Sequence, residues 1–280
     1  MGIAEPFDVE SYRRSAHGSL HDHFSIREFE EAPLDREAIV ASAYLRALEN
    51  AAVVRVLPLA RAHPDPRVRS FATTWAAERH RIADALGEVL AASPRIRGVE
   101  TGPAEPVVRS RVLRDRSSRL LAGPVALALA VDAQIALHAY RRLARLSLHP
   151  EMERLAETVA AILERHADFF GELAADTIGR PLRRRIVAAA VLASVRLPVG
   201  EAALPEELAR EGRELVFGRD DGGLDGIDAG VVALYALPCT AARRLLRPHR
   251  TLPLRAAVQA GRVGADVVAG VRELRSLVAD

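Results

Sequence analysis

The sequence predicts an all-α protein, a four-helix bundle followed by additional helices, and three observations carry that prediction. No stretch of the 280 residues sustains apolar–polar alternation, so no strands are expected. The composition is 49% hydrophobic but only 4% aromatic, with Ala, Leu and Val prominent, which suits helices packed through aliphatic side chains. The third observation is a repeat. Val159, Ile162, Leu163, His166 and Phe170 fall on one helical stripe, and His80 shares a face with Thr73, Ala76, Ala77 and Ala83; each His closes a Glu-Arg-His triplet. Upstream, Glu49 lies on a face with Leu45, Ala52, Val53 and Val56, and Gln134 on one with Leu127, Ala130, Val131, Leu137 and His138. Glu49 precedes His80 by nearly the interval at which Gln134 precedes His166. Each half therefore reads as a helical hairpin with an acid or amide on its first arm and a His on its second. Two such hairpins make a bundle with four polar groups at its axis.

Taken in order, residues 1–33 mix polar and aromatic residues and read as a surface segment; His21-Asp22-His23 diverge on a helix and make a poor metal set. The first long helix runs from about Leu34 through Glu49 to about Arg61, kinked at Pro58. Asp65 as N-cap and Pro66 at the first helical position open the second, which Pro94 ends. Residues 95–106 are rich in Gly and Pro and read as a loop, followed by a basic stretch from Arg109 to Arg119. Gly123-Pro124 is expected to break the chain before the third bundle helix, which carries Gln134. Pro150 opens the fourth, which reaches Ile178 before Gly179 and Pro181. The bundle thus spans about 34–180. Accessory helices are expected at 182–195, 206–217, 227–237 and 252–278, with a polar turn at 219–226, and all 280 residues read as one domain.

Composition also excludes. All 39 basic residues are Arg, so Schiff-base lysine chemistry and a Walker phosphate loop are ruled out. The one cysteine, Cys239, excludes an internal disulfide and a thiolate zinc site. A net charge of +2 gives no argument for nucleic acid. The apolar runs near 120–131 and 186–195 fall short of the roughly 20 residues of a membrane span. With no basic-then-apolar leader, a cytoplasmic protein is expected.

At this point the sequence resembles a known family. Trp75-Ala76-Ala77-Glu78-Arg79-His80 and Ala160-Ala161-Ile162-Leu163-Glu164-Arg165-His166 are similar to the two Arg-His segments of the acyl-ACP desaturase-like branch of the ferritin-like superfamily. Pro198-Val199-Gly200, Pro205-Glu206-Glu207, Leu215-Val216-Phe217-Gly218, Ile227-Asp228 and Leu237-Pro238 resemble the tail of such proteins. The resemblance covers about 34–246. It implies a ferritin-like bundle and a di-iron oxidoreductase acting on an acyl chain held by a carrier protein. Carried over by position, Glu49 and Gln134 would be terminal metal ligands and His80 and His166 the paired imidazoles.

The chain departs from that pattern. The bridging glutamates belong three residues before each His, where Ala77 and Leu163 stand, and Glu78 and Glu164 are expected to face away. Without the bridges, the negative charge that holds two cations is gone. The expectation is a degenerate site: Glu49, His80, Gln134 and His166 in a metal-free polar network, or acting as metal-free catalytic groups (Glu49, His80, His166). Such a bundle would bind an acyl or other apolar small molecule, with Tyr44, Trp75, His138 and Tyr140 as the candidate binding residues; core packing is the alternative for Tyr44, Trp75 and Tyr140, and a hydrogen bond to Gln134 or a spare ligand role for His138. The alternatives are one iron on Glu49, His80 and His166, or a dinuclear iron site restored by a π-bulge, giving an active desaturase or oxygenase. Asp84 is a further candidate to orient His80. The Arg109–Arg119 and Arg180–Arg185 clusters would dock an acidic acyl carrier protein, and a homodimer through a bundle face is the expected assembly.

Overall fold

The computed structural model describes residues 6–61, 63–93, 117–219 and 222–246. Among them every regular element is helical. The helices are α1 (Val9–Ser15), α2 (Ile26–Glu31), α3 (Arg36–Arg61), α4 (Pro66–Ala92), α5 (Ser117–Ser147), α6 (Pro150–Ile178), α7 (Leu182–Ser194), α8 (Glu206–Phe217) and α9 (Gly223–Tyr235), with short 3-10 turns between some of them.

The four long helices carry the core. α3 packs on α4 and α5 on α6, and the two pairs meet through α3 with α5 and α4 with α6. Local chemistry sets their ends. Asp65 caps α4 by accepting from the Arg67 amide, with Pro66 in the first turn. His149 caps α6 the same way, accepting from Glu151 ahead of Pro150. Gly179, at φ +53°, lets the chain leave α6 in a conformation that side chains disfavour. The apolar stripe of α6, Val159, Ile162, Leu163, Phe169 and Phe170, is almost wholly buried.

The remaining helices cover the two sides. α8 packs on α3, and α7 and α9 pack on α5. The α8 contact is close because Gly212 lies against the Tyr44 ring with no room for a Cβ. Gly200, at φ +96°, brings the loop before α8 onto α3, where an added Cβ would lie 2.7 Å from that of Ala51. On the other side α1 and α2 pack on α4.

Several expectations change here. The N-terminal segment is not a surface stretch: Tyr12, Phe24 and Phe29 are buried, because α1 and α2 seal the α4 side of the bundle. α5 starts at Ser117 and runs through Gly123-Pro124 rather than beginning after it. Gly123 abuts Thr177 and Ile178 of α6, so tight packing holds the helix together across the missing proline N–H. α9 begins at Gly223, inside the stretch read as a polar turn. The 26-residue part of α5 from Ala122 to Ser147 is long and apolar enough to cross a membrane, longer than the runs seen in the sequence; 67% of its apolar window is buried inside the bundle. The loop at 95–106, the basic stretch up to Arg116 and the helix expected at 252–278 lie outside the described residues.

Candidate functional site

Adjacent residues on α4, Glu78 and Arg79, point into two different seams, as the 100° step of a helix requires. Arg79 reaches the seam between α3 and α5. Its Nη1 donates to Glu49 Oε2 at 2.7 Å, and its Nη2 lies 3.5 Å from Asp132 Oδ2. Tyr140 Oη donates to Glu49 Oε1 at 3.1 Å, and Asp132 Oδ1 accepts from the Val199 amide at 2.7 Å. The guanidinium carbon lies 5.5 Å from the Trp75 ring. Glu49, Arg79 and Asp132 are all buried. Burial works against the charge on Arg79, but Glu49 and Asp132 outweigh it and hold the guanidinium protonated beyond its ordinary range. Burial pushes Asp132 up to about 6, against the pull of Arg79 and the Val199 N–H.

Glu78 enters the seam between α4 and α6, where all four of its acceptor positions are used. Oε2 accepts from Tyr12 Oη at 2.5 Å and faces His166 Nε2 at 2.9 Å; Oε1 accepts from Arg165 at 3.0 Å and from the His17 amide at 3.3 Å. Burial opposes its charge, yet His166, Tyr12 and Arg165 together hold the carboxyl below its usual range. Burial drives His166 down to about 4, so the neutral ring donates from Nε2 to Glu78 and leaves Nδ1 without a partner among the described residues.

A third buried cluster closes α8 onto α3. Glu201 accepts from Tyr44 Oη at 2.6 Å and binds Arg213 through both carboxylate oxygens, with Arg196 at 3.7 Å. Beside it opens a cleft of about 490 Å³ lined by Arg196, Leu204, Ala209, Arg213, Leu245 and Leu246 among others.

The structure brings together only half of the expected set. Glu49 and His166 are buried as expected, but in separate seams. His80 is exposed, with Nδ1 3.4 Å from Asn50 Oδ1, because the buried stripe of α4 runs through Phe71, Trp75, Glu78, Ile82 and Leu86 and leaves His80 outside it. Gln134 is exposed too; Asp132, two residues earlier, faces inward with Ala128, Ile135 and Ala139. Asp84 is exposed, and Glu164 points outward as expected and meets Arg141 at 3.2 Å. Glu78, expected to face away, is buried. Tyr44, Trp75 and Tyr140 are core residues engaged with Glu201, His166 and Glu49 rather than pocket walls, and His138 stacks on Phe217 with ring centres 6.3 Å apart. Tyr12 escaped notice in the sequence; the Asp8 cap four residues before it was the available signal.

The donor set does not fit a metal pair. The two carboxylates at the bundle centre already share a guanidinium, His80 lies outside and His166 is engaged by Glu78. Among the described residues no group of three or more His, Cys, Asp or Glu is placed to hold an ion. Exposure makes a direct prediction: His80→Ala and Gln134→Ala each change stability by less than about 0.5 kcal/mol in urea titrations, as ordinary surface substitutions do. A loss above about 2 kcal/mol in either would contradict these placements.

Compared with protein-family models, curated proteins and solved structures, the chain matches none.

Proposed function

We propose that the chain is a metal-independent, ligand-binding bundle of the ferritin-like, acyl-ACP desaturase-like kind. The observation that carries this reading is Arg79. A guanidinium on α4 sits between carboxylates from α3 and α5, Glu49 at 2.7 Å and Asp132 at 3.5 Å. A protein-borne cation there supplies the positive charge that iron would supply in an active relative. It also places a fixed positive charge against any incoming divalent ion, which costs the site its affinity. What such a bundle offers a ligand is shape. The cleft beside α8 has the volume of a small-molecule site, with apolar lining from Leu204, Ala209, Leu245 and Leu246 and charged lining from Arg196, Arg210 and Arg213 beside Glu201, Glu206 and Glu214. An acyl chain ending in a carboxylate suits that mixture, with the tail on the leucines and the head on Arg196 and Arg210, since Arg213 is held by Glu201.

Native mass spectrometry of protein purified from iron-replete cells reads metal and co-purified ligand in one spectrum. The expected species is the chain without iron, carrying a small apolar molecule that is released on activation. About two iron ions per chain, the complement of a dinuclear site, would overturn the proposal.

A further inference from the structure

The seam between α4 and α6 holds a side chain in the way a receptor holds a ligand. Tyr12 reaches it from α1, a seven-residue helix in which Val9 and Tyr12 are the buried residues. The Tyr12 ring stacks on Phe71 at 4.8 Å and 23°, and the Arg165 guanidinium carbon lies 5.4 Å from its ring centre. Its hydroxyl donates to Glu78 at 2.5 Å and stands 3.2 Å from His166 Nε2. The Glu78 and His166 side chains are fully buried, so this polar end is a built site. Phe169 and Phe170 pack around Phe71 and extend the aromatic wall. A helix this short is not stable alone, so α1 is ordered by what it docks into. The polar capacity of the seam is not used up by Tyr12: His166 Nδ1 and Trp75 Nε1 are buried without partners among the described residues, and the two ring centres lie 6.3 Å apart.

We propose that the α4–α6 seam is a binding site for a neutral aryl alcohol, and that Tyr12 occupies it in cis. The chemistry selects that class. Glu78 as a carboxylate only accepts, so it takes an O–H donor and repels a carboxylate or phenolate. The Phe71 ring and the Arg165 guanidinium both favour an aromatic ring at this position. A free ligand of this kind competes with Tyr12 and displaces α1. This site shares no residue with the cleft beside α8.

The test uses the full chain, p-cresol as probe and toluene as the same shape without the hydroxyl, with binding followed by calorimetry. In Tyr12→Ala, where the cis competitor is gone, p-cresol is expected to bind at least about tenfold more tightly than in the wild type. Toluene is expected to bind that variant at least about tenfold more weakly than p-cresol, the loss of one hydrogen bond to a charged group. Equal p-cresol affinity in the two proteins, or toluene as good as p-cresol, overturns the proposal. Should Tyr12→Ala not fold, Tyr12→Phe decides by hydrogen exchange. Amides of α1 are expected to exchange about tenfold faster with α4 and α6 unchanged; α1 protection equal to wild type overturns the proposal.

Discussion

Replacing Arg79 with Met is expected to cost the fold about 4 kcal/mol, the scale of breaking a buried ion pair by removing one partner. Met keeps most of the aliphatic volume of the arginine stem, so little of the loss is cavity. The cost comes from Glu49 and Asp132, both buried, which are left as two carboxylates in one seam with no cation between them. A rescue is expected on the same physical grounds. Adding Glu49→Gln and Asp132→Asn to Arg79→Met removes both stranded charges and recovers most of the loss, since buried ion networks are often no more stable than neutral replacements of similar volume. Urea denaturation followed by circular dichroism reads both effects. A loss below about 1 kcal/mol in Arg79→Met would mean the guanidinium is not the internal counter-charge.

The second large effect is a pH dependence carried by His166. The ring titrates at about 4 in the folded chain, against an ordinary value of 6.5, because it is buried. Between those two values the unfolded chain binds a proton at this position and the folded chain does not. Stability contributed at this position therefore falls as the pH drops from 6.5 toward 4. The contacts of the ring, Glu78 from α4 and Tyr12 from α1, and the charges of Arg79 and Arg165 act within that net value. Wild type alone will not show the effect. Asp132, raised to about 6 by burial, binds a proton in the folded chain before the unfolded one does, and so offsets it by a similar amount on acidification. The difference between wild type and His166→Gln isolates the ring, because Asp132 is common to both and the amide keeps a donor for Glu78. From pH 7 to pH 4, wild type is expected to lose about 3 kcal/mol relative to the variant. A difference that stays constant within about 0.5 kcal/mol over that range would contradict burial of a neutral ring.

The sequence-based expectations succeed where one residue type has one physical meaning. Asp65-Pro66 and His149-Pro150 open α4 and α6 because a capping acceptor followed by a residue without an N–H suits the first turn and little else. His166 is inside because Ile162, Leu163, Phe169 and Phe170 are large enough to fix the phase of α6. On α4 the phase was ambiguous. Ala72, Ala76, Ala77 and Ala83 look apolar on any face, so a stripe drawn through alanines could carry His80, while Phe71, Trp75, Ile82 and Leu86 carried Glu78 instead. Helices rich in alanine hide their own rotation, and the bulkiest side chains decide it through the area they bury. The same weakness put Gln134 in place of Asp132, two residues away on a helix crowded with Ala, Leu and Val. Tyr12 was illegible for another reason. One buried aromatic on a seven-residue helix has no period, and its partners Glu78 and His166 are distant in sequence.

The proposed function turns on the Arg79 guanidinium between Glu49 and Asp132, and anomalous diffraction tests it most directly. Crystals of protein from iron- and manganese-supplemented cells, measured on both sides of the iron and manganese edges, are expected to show no anomalous peak between Glu49 and Asp132, with the Arg79 guanidinium in ordinary density there. An anomalous peak in that seam, with Arg79 turned aside, would contradict it.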